Sequence, residues 1–209
     1  MTDLATLKST IADDLARTDL TAAIASEITA AIEYYQFHPF WFTKDRDATF
    51  STVADQVEYT SSDDADIGTF YRLIAVYLED GSNLYDLREM DVTEWQGLQD
   101  VTSSARPYAY SRFNESYLLY PTPNDAYTVR LIGHQKVAAP ASDDETGNPW
   151  MNEASELIRS RAVKNIYAKK LRSYQDGQIW QIEENNQLER LTVESNRKVG
   201  TGKLTAMAF

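Results

Sequence analysis

The residues of this chain most capable of chemistry are few, and their spacings spoil the motifs they suggest. Gly202-Lys203 looks like the end of a phosphate-binding loop. The motif needs another glycine five residues earlier, where Arg197 stands, and a hydroxyl residue after the lysine, where Leu204 stands. The two histidines, His38 and His134, sit in no HExxH pattern, and there is no GxSxG elbow. Acids cluster at Asp63-Asp64-Asp66 and at Asp143-Asp144-Glu145. Gly68 falls where a calcium loop needs its third acid, so both clusters read as solvated loop charge. Asn114-Glu115-Ser116 is a glycosylation sequon, which matters only in a secreted chain. With no cysteine there is no disulfide, no thiol nucleophile and no thiolate metal site. The expectation is a protein without a catalytic site, a cofactor or a bound metal.

The last fourteen positions differ from the rest. Residues 196–209 carry Arg197, Lys198 and Lys203 and no acid. The whole chain has net charge −12, and −12 minus those three cations leaves −15 on residues 1–195. Two glycines and small residues give this stretch no amphipathic period, which predicts an extended tail. Its candidate contacts are charged (Arg197, Lys198, Lys203) and apolar (Leu204, Met207, Phe209).

The elements behind these residues fall into three runs. Leu4, Leu7, Ile11 and Leu15 make one helical stripe, with Thr2 or Asp3 as its cap. After a restart at Thr18 or Asp19, a second stripe of Leu20, Ile24, Ile28, Ile32 and Tyr35 ends at His38-Pro39. Phe40-Trp41-Phe42 follows as an aromatic plug, at least one ring of which should be core. From about Asp47 the period drops to two. Strands are predicted over 48–50, 57–59, 70–78, 84–87, 108–111, 117–120 and 127–133, with a turn at Asp80-Gly81 and a tight connection at Pro121-Thr122-Pro123-Asn124. Asp91 should cap a short helix running to about Gln99. Residues 138–147 read as an acidic linker. Asn148-Pro149 is the strongest helix start in the chain, opening a helix to about Ser173. Asp176-Gly177 should interrupt it before a last helix to about Ser195.

The predicted class is α+β. Residues 1–42 and 138–195 would form one helical bundle, residues 43–137 an inserted antiparallel β-unit, and residues 196–209 the tail. The acid excess argues against a nucleic-acid binder, although acidic walls would let DNA slide past without sticking. The opening MTDLATLKSTIADDLA lacks the basic and apolar regions of a signal peptide, so the expectation is a chain made in the cytoplasm.

Several landmarks in this order resemble the head-to-tail adaptor proteins of tailed bacteriophages, above all the short-tailed ones. They are the stretch from Ala48 to Tyr59, with Asp55 where the family usually has glycine; Arg106-Pro107-Tyr108-Ala109-Tyr110; Tyr117-Leu118-Leu119-Tyr120-Pro121-Thr122-Pro123; and the Asn148-Pro149-Trp150 helix start. The resemblance implies a structural virion protein at the head–tail junction. It implies a ring of twelve copies that binds the portal protein through its C-terminal extension. Such a ring extends the channel through which packaged DNA passes and offers a platform to nozzle or tube proteins of the tail. The rival readings are another neck or tail-completion protein, a tail-associated cell-wall hydrolase, and a DNA-binding module.

Overall fold

A computed structural model of the chain describes residues 3–98 and 104–198. The class is α+β, with two compact units. One joins residues 1–43 to residues 137–209, and the other is residues 44–136.

The helical unit begins with α1 (Leu4–Leu15). Asp3 caps it by accepting the Thr6 amide at 2.7 Å, and Ala16 ends it in the left-handed region. Neither Thr18 nor Asp19 caps α2 (Thr21–Tyr35), because Asp19 is held by the Arg17 guanidinium through two bonds of 2.7 Å. Of the aromatic plug, Phe40 is fully buried, whereas Trp41 and Phe42 are half-buried on a 3-10 turn over Trp41–Thr43.

Asn148 and Pro149 start a helix as their chemistry dictates, with Asn148 accepting the Trp150 amide at 3.1 Å. That first piece, α4 (Pro149–Glu153), is short. The chain breaks at Ala154 and continues as α5 (Ser155–Ile166), which widens into a π-helical turn over Tyr167–Leu171. Here the sequence expectation needs correcting. The interruption falls at Arg172, in the left-handed region at φ 53, and not at Asp176-Gly177. Gly177 instead lies buried in the first turn of α6 (Tyr174–Lys198). A Cβ there would lie 3.7 Å from the Tyr167 Cβ, an ordinary contact, so the helix tolerates this glycine without needing it. The end of α6 needs a second correction. It runs on to Lys198, so Asn196, Arg197 and Lys198, assigned above to an extended tail, are helical. Leu7, Ile11, Ile24, Ile28, Trp150, Leu157, Ile166 and Leu191 are among the residues of the shared core of these helices.

The second unit has two sheets. The first orders β1 (Lys44–Asp45), β9 (Thr128–Gln135), β4 (Phe70–Asp80) and β5 (Asn83–Asp86), with β2 (Thr49–Ser51) also paired to β9. The second orders β3 (Glu58–Tyr59), β8 (Ser116–Tyr120), β7 (Ala109–Phe113) and β6 (Arg88–Glu89). The unit is not wholly antiparallel as expected, because β6 pairs with β7 in parallel. The chain passes from the edge of one sheet to the edge of the other through Leu87, and between β6 and β7 it makes a crossover that holds the helix over Val92–Leu98, as a parallel pair requires. Phe50, Tyr59, Phe70, Leu78, Tyr117, Leu119 and Leu131 form the core shared by both sheets. On the other face of the second sheet, Leu118 and Ala109 pack with Trp95 of α3 (Val92–Leu98), whose indole N–H donates to the Leu119 carbonyl at 3.1 Å. Gly81 makes the β4–β5 turn at φ 60.

Candidate functional site

Three charge clusters, two centred on buried carboxylates and one part-buried, tie the helices of the first unit together, and none was anticipated from sequence. Glu184 of α6 is almost wholly buried. It accepts from the Tyr35 hydroxyl of α2 and from Arg161 of α5, each at 2.6 Å, and it also pairs with Lys164. Burial pushes its carboxyl up, but the hydrogen bonds from Lys164, Tyr35 and Arg161 outweigh that, and the net direction is down. The same carboxylate and its own burial push the Tyr35 phenol upward. Arg161 also lies over the Tyr34 ring, 3.2 Å from its centroid.

Glu27 of α2 forms the second cluster, accepting from Asn165 at 2.9 Å and Lys169 at 2.8 Å. The third is a forked pair in which Arg159 donates twice to Asp14, both at 2.6 Å. These groups have the ingredients of an active site, namely buried carboxylates, cations and a phenol. Each ionised oxygen is nevertheless engaged by an opposite charge or a donor of a neighbouring helix. What the arrangement can do is fix helix against helix.

The other candidates resolve into local structure. Asp63 accepts the Thr60 amide at 2.7 Å and the Gln56 amide side chain at 2.8 Å, and Asp64 caps the 3-10 turn over Ala65–Gly68. The acidic linker is more than solvated charge. Asp143 pairs with Lys8 at 2.5 Å, its carbonyl accepts the Ala5 amide, and Glu145 accepts the Ala141 amide at 2.6 Å. His134 is buried in β9, and burial, then the nearby Arg161 cation, pushes His38 down. Among the described residues no group of three His, Cys, Asp or Glu could hold a metal ion, and no helix is long and apolar enough to cross a membrane.

Of the six tail contacts predicted from sequence, two are described. Arg197 and Lys198 occupy the last turn of α6. Lys198 pairs with Glu194 at 2.9 Å and sits 4.0 Å from the centroid of the Trp41 ring, so its charge is engaged within its own unit. Arg197 is exposed. The same corner is closed by Ser195, whose hydroxyl accepts the Trp41 amide at 3.2 Å and donates to the Leu191 carbonyl. Lys203, Leu204, Met207 and Phe209 lie outside the described residues.

The landmarks that carried the resemblance also find their places. Ala48–Tyr59 forms β2, a turn and β3, and the residue in the family's glycine position, Asp55, has φ 65. That is the backbone region glycine adopts most easily. Tyr117–Pro123 forms β8 and the turn behind it. In a comparison with family models, the one described as SU10 adaptor protein matches residues 2–204. The chain belongs to the SU10 adaptor protein family. Membership makes it a phage adaptor protein, and it spans both units and every element described above. No curated protein matches the chain.

Proposed function

We propose that this member of the SU10 adaptor protein family is a structural virion protein without turnover. In this reading, copies of it form a ring of twelve between the portal protein and the tail at the head–tail junction. Packaged DNA passes through the ring without sequence-specific contact, and the tail's nozzle or tube proteins attach below. The helical ends form one bundle with the β-unit inserted, and residues beyond α6 make the docking arm. The family match over residues 2–204 carries the proposal. The charge clusters agree with it, since their groups are directed at neighbouring helices and not at a cleft. A net charge of −12 suits walls along which a polyanion must slide.

The docking arm narrows in one respect. Lys198 is already paired within α6, so Arg197, Lys203, Leu204, Met207 and Phe209 would supply the portal contacts. Purified chain mixed with portal protein should give a discrete high-mass complex in a mass measurement. A chain ending at Lys198 should melt as the full chain does and bind portal weakly. Absence of any complex at moderate salt would sink the adaptor reading, and undiminished binding of the shortened chain would sink the arm.

A further inference from the structure

The outward side of α6 is built unlike the surface of a chain in which a quarter of the residues are charged. Ile179 and Ile182 are 64% and 63% exposed, and Gln175, Gln178, Asn185 and Asn186 beside them are exposed and uncharged. Depletion of charge around exposed aliphatic side chains is the compositional mark of an interface core. Further along the same side stand Glu189 and two arginines that outnumber it, Arg190 and Arg197, all exposed. Neither arginine has an ion-pair partner among the described residues.

The outward side of α2 is its electrostatic complement. α2 and α6 each pack against α5, and α2 turns Glu27, Ile28 and Ile32 inward. Its exposed positions are Thr21, Ala22, Ser26, Thr29, Glu33 and Tyr34, so the only charge it presents is the Glu33 carboxylate. One molecule therefore carries a bulky apolar face with unpaired cations and a low-relief face with an acid. Two copies, each at −12, repel over most of their surfaces and can approach closely only where charge is sparse or opposite.

We infer that α6 of one copy docks on α2 of the next, Ile179 and Ile182 meeting the Ser26–Thr29 stretch and Arg190 lying toward Glu33. Because the two faces differ, the contact is head-to-tail. Repeated, it generates a ring or a helical string and never a closed pair. The inference deepens the ring reading above by naming the surfaces through which copies meet.

The absence of cysteine makes the test direct. Full-length double variants pair Ile182→Cys with Ser26→Cys, Thr29→Cys or Glu33→Cys. Each is oxidised at high protein concentration, alone and with portal protein. At least one pair should give a reducible ladder of dimer, trimer and higher species. Ile182→Cys alone should give none, and neither should Ile182→Cys paired with Ile74→Cys. A dimer from Ile182→Cys alone, or ladders no stronger than that control, would overturn the inference. Ladders without any portal complex would leave the helix contact standing and sink the portal reading; a portal complex without ladders would do the reverse. Ile179→Glu with Ile182→Glu should abolish higher species while the melting temperature stays unchanged.

Discussion

The two units solve the problem of register differently. In the helical unit the packed faces are rich in Ala, Ile and Leu, which by themselves would let one helix slide along another. Glu184, Glu27 and the Asp14–Arg159 fork each bridge different helices and reward only one alignment. In the β-unit the backbone ladder already fixes alignment, because a one-residue slip would turn every core side chain outward. Its shared core is aliphatic and aromatic, and its charge lies outside. Residues 44–136 hold sixteen Asp and Glu against eight Lys and Arg, while the helical unit, residues 1–43 and 137–209, holds sixteen against twelve. Helices need side-chain keys; strands carry theirs in the main chain.

The largest effect should come from removing a key. Glu184→Ala leaves the part-buried Arg161 and Lys164 without their counter-charge and should cost about 3 kcal/mol in urea unfolding. Loss below about 1 kcal/mol would mean that the helices align without it. Its pH dependence has a definite sign. The folded carboxyl titrates below its ordinary 4.5, so its contribution is complete above that value and disappears as pH falls through the depressed folded value. The native chain should therefore lose stability on acidification below 4.5, and Glu184→Gln should flatten that slope.

The corresponding weak point of the β-unit is main-chain geometry. A Cβ at Gly133 would collide with the Arg72 carbonyl oxygen and lie 3.0 Å from the Leu73 Cα, beside the two register shifts of β4. Gly133→Ala should cost about 1–3 kcal/mol or more, with no charge altered. A neutral result would show that the bulged strand yields easily. A smaller change should go the other way. Asp55→Gly relieves a left-handed residue and should stabilise by about 0.5–1 kcal/mol, read as a raised melting temperature.

The smallest effect sharpens the contrast most. The Tyr117 hydroxyl is buried with no hydrogen-bond partner among the described residues, and burial pushes its phenol up to about 12. Tyr117→Phe should shift stability by no more than about 0.5 kcal/mol, in the stabilising direction if at all. A large loss would mean that the β-unit too relies on a polar key.

Local chemistry was legible in the sequence, and distant chemistry was not. Asp3, Asn148-Pro149 and Gly81 announce their elements because a cap or a turn needs only its own neighbours. The two-residue strands β1 and β6 have no period to detect, and the parallel β6–β7 pair follows from a crossover that no local pattern encodes. Gly177 read as a breaker because glycine usually weakens helices, whereas here the surrounding helix packing carries it in the first turn of α6. The roles of Glu27 and Glu184 were not legible because their partners lie far away or on other helices. Ile179 faces outward, which its residue type does not announce. Four of the six predicted tail contacts fall beyond α6, and family membership was legible only because motifs were read together and in order.

One consequence of the divided helical unit concerns synthesis. Glu27 waits for Asn165 and Lys169, which follow it by 138 and 142 residues. While a ribosome makes residues 44–136, α1 and α2 have emerged with Leu7, Ile11, Ile24 and Ile28 uncovered, and their partners do not yet exist. The β-unit, whose contacts are internal to those residues, is therefore expected to close first. Nascent chains stalled after Lys136 should resist protease in the β-unit and be cut in α1 and α2. Uniform protection would refute that order. The vulnerable interval ends only when α5 arrives, so translation speed between those points should govern how much chain escapes aggregation.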